Sequence, residues 1–203
     1  MKIDFSNLSA SARYHLMTQT IVPRPIAWVL TESGEENYNL APFSYFTAVS
    51  SQPALMMFSV GKKPNGDRKD TVVNLEQTQR CVLHIASGEH AEQVTQTAAT
   101  LEHGESEVTQ NDIALTSFDG FPLPRVASAK IAFGCKLHEV IEMGATPQSL
   151  VFIEIETVYL DDTISDIADD RLNVDATSLD PLMRLGGQEY AMLKDVFTVN
   201  RPK

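Results

Sequence analysis

The chain has 203 residues, 43% of them hydrophobic, with a formal net charge of −11 and a pI near 4.8. That length and apolar content suffice for one substantial core, and no shift in composition marks a second domain. The acidic balance argues against nucleic acid as a partner, because polyanion binding rests on Lys and Arg neutralising phosphates, and no window nears the ~20 apolar residues of a membrane helix.

A single domain over 1–203 is therefore expected, with an N-terminal arm over 1–20 and a C-terminal extension over 162–203. With no apolar stretch behind Lys2, the expected location is cytoplasmic. Cys81 and Cys135 have neither CxxC nor metal-ligand spacing and are expected to be buried, reduced thiols.

In chain order, Phe5 to Thr20 reads as a short helix or arm, and Pro23-Arg24-Pro25 then forces extended backbone at Val22 and Arg24. Ile26 to Thr31 is a strand, Ser33-Gly34-Glu35-Glu36 its turn, and Tyr38 to Val49 the returning strand, interrupted at Ala41-Pro42. Because proline has no N–H to give a ladder, Pro42 marks an edge or a bulge. Ala54 to Val60 is a third strand, closed by a loop of turn formers over Gly61 to Gly66.

A helix is predicted over Thr71 to Thr78, capped by Asp70 or its neighbour, with Val72 and Leu75 on one face. Arg80 to Ala86 follows as a strand. Ala91, Val94, Ala98 and Leu101 form a narrow apolar stripe on a second helix, from about Glu89 to Leu101. Ala127 to Ile141 and Leu150 to Leu160 read as an antiparallel pair about Gly144-Ala145-Thr146-Pro147. The pattern gives a mainly β fold of about six strands with peripheral helices, whose edges are best satisfied by closure into a small antiparallel barrel.

Three clusters suit a phosphorylated aromatic cofactor. Asn39-Leu40-Ala41-Pro42-Phe43-Ser44-Tyr45-Phe46 joins free backbone groups to a hydroxyl and three aromatics, which either wall a pocket or belong to the core. Lys69-Asp70-Thr71 stands at a predicted helix N-terminus, where unpaired N–H groups, a hydroxyl and an ammonium make a phosphate seat, unless Asp70 is only a cap. Ser50, Ser51, Ser59 and Gly61 flank the third strand, where serines commonly just satisfy backbone.

Other chemistries lack their residues. His15, His84, His90, His103 and His138 show no ligand spacing, so no metal site is expected. His84, inside an apolar strand, reads as a core or pocket residue. No GxSxG elbow, P-loop or GxGxxG is present. Asp161, Asp162, Asp166, Asp169 and Asp170 read as a solvated acidic loop.

Val22-Pro23-Arg24-Pro25-Ile26-Ala27-Trp28-Val29, the 39–46 segment and Lys69-Asp70-Thr71 with Asn74, taken in that order, resemble the flavin reductase-like family of flavoredoxins and flavin monooxygenase reductase components. Thr97-Ala98, Gly104-Glu105-Ser106-Glu107 and Ala127-Ser128 are also similar to the family. The resemblance implies an FMN-binding split β-barrel of Greek-key type, a homodimer with flavin near the subunit interface. Pro42 to Phe46 would meet the flavin ring and ribityl chain; Ser50, Ser51, Lys69, Asp70 and Thr71 would hold ribityl and phosphate, with Arg24 and Trp28 as neighbours.

The implied activity is NAD(P)H-dependent reduction of flavin or a small acceptor, with a flavin-dependent monooxygenase or another redox partner as recipient. The alternative is an electron-transfer protein reduced by a partner. The last long strand departs from the family in having Leu150 to Ile155 where members often carry a glycine followed by a histidine. Arg184-Leu185-Gly186-Gly187-Gln188-Glu189-Tyr190 resembles a terminal motif of some members, either bordering the pocket or forming an arm on the dimer partner. Tyr45, His84 and Tyr190 are candidate proton donors, and no catalytic residue is assigned.

Overall fold

The computed structural model describes residues 1–34, 36–102, 104–168 and 171–202. Glu35 of the predicted turn, His103 of the histidine set, and Asp169 and Asp170 of the acidic stretch lie outside the described residues.

After helix α1 (Ala10–Thr20), strands β1 (Arg24–Pro25), β2 (Ala27–Gly34), β3 (Asn37–Phe43), β4 (Phe46–Ser51) and β5 (Ala54–Val60) follow through short links. Helix α2 (Asp70–Thr78) and β6 (Arg80–Ile85) come next, then α3 (Ala91–Gln96), α4 (Glu107–Gln110) and the short pair β7 (Leu115–Thr116) and β8 (Arg125–Val126). The long strands β9 (Ile131–Met143) and β10 (Gln148–Leu160) form a hairpin about residues 144–147. Hairpin β11 (Ser165–Ala168) and β12 (Arg171–Val174), helix α5 (Ala176–Leu179), β13 (Met183–Arg184) and β14 (Tyr190–Ala191) complete the chain.

The main sheet runs β3-β2-β6-β9-β10-β5-β4, antiparallel at each of its pairings. Its two edge strands are consecutive in the chain, joined only by Ser44 and Tyr45. A link that short cannot cross a flat sheet of this width, so the sheet must curl until its edges meet. The meeting is visible where Phe43 of β3 stacks on Phe58 of β5 with ring centroids 5.2 Å apart.

Strand alternation sorts the core into two layers. Ala27 and Val29 of β2, Leu83 of β6, Val151 and Ile153 of β10 and Phe58 and Val60 of β5 share one cluster, the barrel interior, to which α2 adds Val72 and Leu75. The intervening Trp28 and Leu30, with Val82 and Leu40, face outward under a cover of Val94, Val108, Phe118, Val126 and Leu182. Each such side chain fully buried contributes about 1.5–3 kcal/mol, which is why β2, apolar on both faces, sits inside the sheet rather than at its rim.

Three boundaries differ from the sequence reading. The returning strand breaks at Ser44–Tyr45, not at Ala41-Pro42, so the main sheet has one strand more than expected. Pro42 continues β3, paired opposite Trp28, because β3 is an edge and needs no outward N–H there. The second helix stops at Gln96, after a 3-10 turn over Gly88–His90, and does not reach Leu101. The acidic loop after Asp162 instead contains hairpin β11–β12. Cys81 and Cys135 are buried free thiols, directly opposite each other across β6 and β9.

Candidate functional site

The loop from Lys62 to Arg68 folds back on itself before α2. Lys62 and Arg68 form an isolated bridge, Lys63 N–H donates to the Asp67 carbonyl at 2.8 Å, and the turn passes through Gly66 at φ +91°, a conformation open to glycine. The fold-back delivers Lys63 to the start of α2, where its ammonium pairs with Asp70 at 2.8 Å. Lys69 occupies the N-cap position without a side-chain cap bond, and Asp70 is the first helical residue.

Across from this helix start lies β3, and a third wall comes from residues 97–101, the stretch expected to be helical. Together Asn39, Ala41 and Pro42 of β3, Lys63, Lys69, Asp70 and Thr71, residues 97–101 and Glu107 line a small cleft of about 50 Å³.

A buried polar net stiffens the cleft floor. Asn39 Nδ2 donates to Thr71 Oγ1 at 3.0 Å, and Asn74 Nδ2 donates to Thr31 Oγ1 at 3.1 Å. Glu107 reaches across from α4, and its Oε2 accepts the Leu40 N–H at 3.0 Å, meeting a donor that the edge strand would otherwise leave open. Burial pushes the Glu107 carboxyl above its ordinary pKa, against the pull of backbone donors. Burial also lowers the Lys69 ammonium, although Glu107 nearby favours its charge.

Glu107→Ala is expected to destabilise the fold by about 1–3 kcal/mol, because Leu40 N–H is left buried and unpaired. Glu107→Gln keeps an acceptor and should stay within about 1 kcal/mol of wild type. Urea denaturation of both variants checks this, and equal losses would refute the role given to the hydrogen bond.

Of the residues singled out in the sequence, Asn39, Ala41, Pro42, Lys69, Asp70 and Thr71 meet in the cleft. Arg24 is buried as a clamp, donating to the carbonyls of Thr18 at 2.7 Å, Ile21 at 2.6 Å and Leu185 at 2.8 Å. Trp28 is fully buried beneath the outer layer. Phe43 belongs to the barrel interior, while Ser44 and Tyr45 form the link between the edges. Phe46, Ser50 and Ser51 lie on β4, with both serines exposed, and Ser59 and Gly61 lie along and just beyond β5.

The proton-donor candidates all stand off the cleft lining. His84 is enclosed in the sheet, Tyr190 shares a hydrogen bond with Thr95 Oγ1 at 2.9 Å, and Tyr45 packs 6.4 Å from the Tyr14 ring. The motif around Gly186 and Gly187 serves β1: β13 pairs with it, and a Cβ at Gly186 would strike the Gln19 side chain. Lys63, Glu107 and the 97–101 wall were missing from the candidate set. Their only sequence signals were the Thr97-Ala98 and Glu105-Ser106-Glu107 motifs.

The curled antiparallel sheet thus carries its cleft at the start of α2. The chain belongs to the flavin reductase like domain family, which it matches over residues 17–176. It is 34% identical to the uncharacterized protein YwrF of Bacillus subtilis over 199 residues, 96% of each chain. Nitrilotriacetate monooxygenase component B from Bacillus cereus superposes with a TM-score of 0.90 at 29% identity, covering 98% of both chains. The 2-nitrobenzoate 2-nitroreductase NbaA from Pseudomonas fluorescens gives a TM-score of 0.88 at 28% identity, covering 100% of this chain and 96% of that one. The fold is the split β-barrel expected from the resemblance.

Proposed function

We propose that this chain binds FMN at the cleft beside the start of α2 and acts as an NAD(P)H-dependent oxidoreductase that reduces flavin or a small acceptor. The observation that carries the reading is the convergence of Lys63, Lys69 and Thr71 at the start of α2, the positive end of the helix dipole. That donor set fits a phosphate, and Pro42 with residues 97–101 offers an uncharged flank to an aromatic ring.

Bound flavin supplies hydride and single-electron chemistry at its ring. The protein's share is binding and orientation. Lys69 would neutralise phosphate charge, Asn39 would hold Thr71 in place, and the wall over 97–101 would keep water from one side of the ligand. A working homodimer in the cytoplasm, passing electrons to a monooxygenase or another redox partner, completes the proposal. It is supported by the likeness to component B of a monooxygenase and to a nitroreductase.

An absorbance spectrum of the purified protein with FMN, followed by anaerobic NADH and then NADPH, tests the reading. Flavin bands that bind and are bleached by one nucleotide are expected. Bands that bind but persist would favour an electron-transfer protein reduced by a partner, and failure to bind FMN would overturn both.

A further inference from the structure

Trp28 is the chain's one tryptophan and is completely buried, yet it stands between two walls of the cleft. Through its backbone it pairs with Pro42 on β3, which lines one wall. Through its side chain it reaches the other: the indole Nε1–H donates to Thr97 Oγ1 at 2.9 Å, and the Thr97 hydroxyl donates onward to the Val94 carbonyl at 3.2 Å. Thr97 is the first residue of the 97–101 wall and is itself fully buried.

Helical periodicity favours continuation to Leu101, with Ala98 and Leu101 on the apolar stripe. The helix nevertheless ends at Gln96: the Thr97 N–H still bonds to the Gln93 carbonyl at 2.9 Å, but those of Ala98 and Ala99 turn back to the carbonyls of Thr95 at 3.2 Å and Gln96 at 3.1 Å. Continuing the helix would leave residues 98–101 with a different exit from Thr97. Within its own segment Thr97 bonds to the Gln93 and Val94 carbonyls, and from outside that segment it is held by the indole. The indole in turn has little freedom, packed 5.7 Å from the His90 ring and 6.2 Å from the His84 ring.

We infer that Trp28 is a positioning residue for the cleft: it sets the place of the 97–101 wall through Thr97 without touching the ligand. The inference rests on the FMN reading above and adds to it a residue that acts from the opposite face of the sheet. It also gives the buried hydroxyl of Thr97 a role, since valine would fill the same volume without accepting the indole proton.

The test compares FMN affinity, by titration of flavin fluorescence, in wild type, Thr97→Val, Thr97→Ser and Trp28→Phe, with circular dichroism as the check on folding. Loss of the buried hydrogen bond is expected to weaken FMN binding roughly tenfold in Thr97→Val and Trp28→Phe, and the retained hydroxyl of Thr97→Ser to restore it to within about twofold. If Thr97→Val does not fold, the single indole N–H resonance of wild type decides the matter. It should shift as FMN saturates the protein, and an unmoved resonance overturns the inference.

Wild type that binds no FMN overturns the functional reading and this inference with it. Wild type that binds, with folded Thr97→Val binding equally well, overturns this inference alone.

Discussion

Replacing Lys69 by methionine is expected to weaken FMN binding by about 10- to 100-fold while leaving the fold as stable as wild type or more so. The two halves of that expectation have one cause. The Lys69 ammonium lies partly withdrawn from water at the cleft, 6.0 Å from the Phe43 ring centroid, and burial lowers its pKa. A desolvated cation costs the folded state free energy that methionine, of similar length and apolar, does not. If phosphate binds at the α2 N-terminus, the same cation returns that cost on binding, as a charge-assisted contact in a site with little water. Stability and affinity should therefore move in opposite directions, the pattern of a residue kept for a ligand rather than for the fold. Lys69→Glu should be more severe, since it sets a carboxylate beside Asp70 and Glu107 in the cleft. A titration of FMN alongside a thermal melt checks both halves. Unchanged affinity in Lys69→Met would remove the phosphate from this end of the cleft.

How far the sequence announces this site varies with the range of the forces involved. The alternation in Ala27-Trp28-Val29-Leu30 is local, so the strand is legible, and Val72 with Leu75 correctly marks the inner face of α2. Lys69-Asp70-Thr71 is legible as a helix start for the same reason. The break after β3 is not, because it depends on which strands become edges. Proline looks like an interruption within a strand, but on an edge it costs no ladder bond, and the chain turns only where it must cross from one edge to the other, at Ser44–Tyr45. The end of α3 likewise coincides with a tertiary contact, the bond to Thr97 from an indole distant in sequence. Trp28 shows the converse: its place in a motif suggests a neighbour of the flavin, and its parity in β2 sets it on the outward face, away from Phe43 and Phe58. Ser50 and Ser51 are ordinary strand-end serines by composition, and nothing local reports that β4 is an exposed edge.

Stability is expected to fall by about 3 kcal/mol through His84 as the pH drops from 6.5 to 4, with about 2 kcal/mol of that gone by pH 5. His84 is completely enclosed, and both ring nitrogens are committed. Nδ1 lies 3.0 Å from the Trp28 carbonyl, which can only accept, so it carries the proton, and Nε2 accepts the Val126 N–H at 3.0 Å. A second proton would have to sit on Nε2, pointing at a donor in a site without water. Desolvation is the main reason the pKa is lowered to about 4, while the bond to Trp28 favours charge and nearby Arg125 opposes it. The unfolded chain therefore binds more protons than the folded one between pH 4 and 6.5. The contribution is complete above 6.5 and is lost as the pH falls through the folded value. His90, also lowered by burial, adds in the same direction, so wild type alone does not isolate the effect. His84→Gln does: it should be less stable than wild type at pH 7.5, yet the gap should narrow by about 2 kcal/mol at pH 5, measured by urea denaturation at the two values. A gap that stays constant would mean that His84 holds its proton in the folded state. That result would contradict the tautomer by which Trp28, on which the cleft wall leans, is held from below.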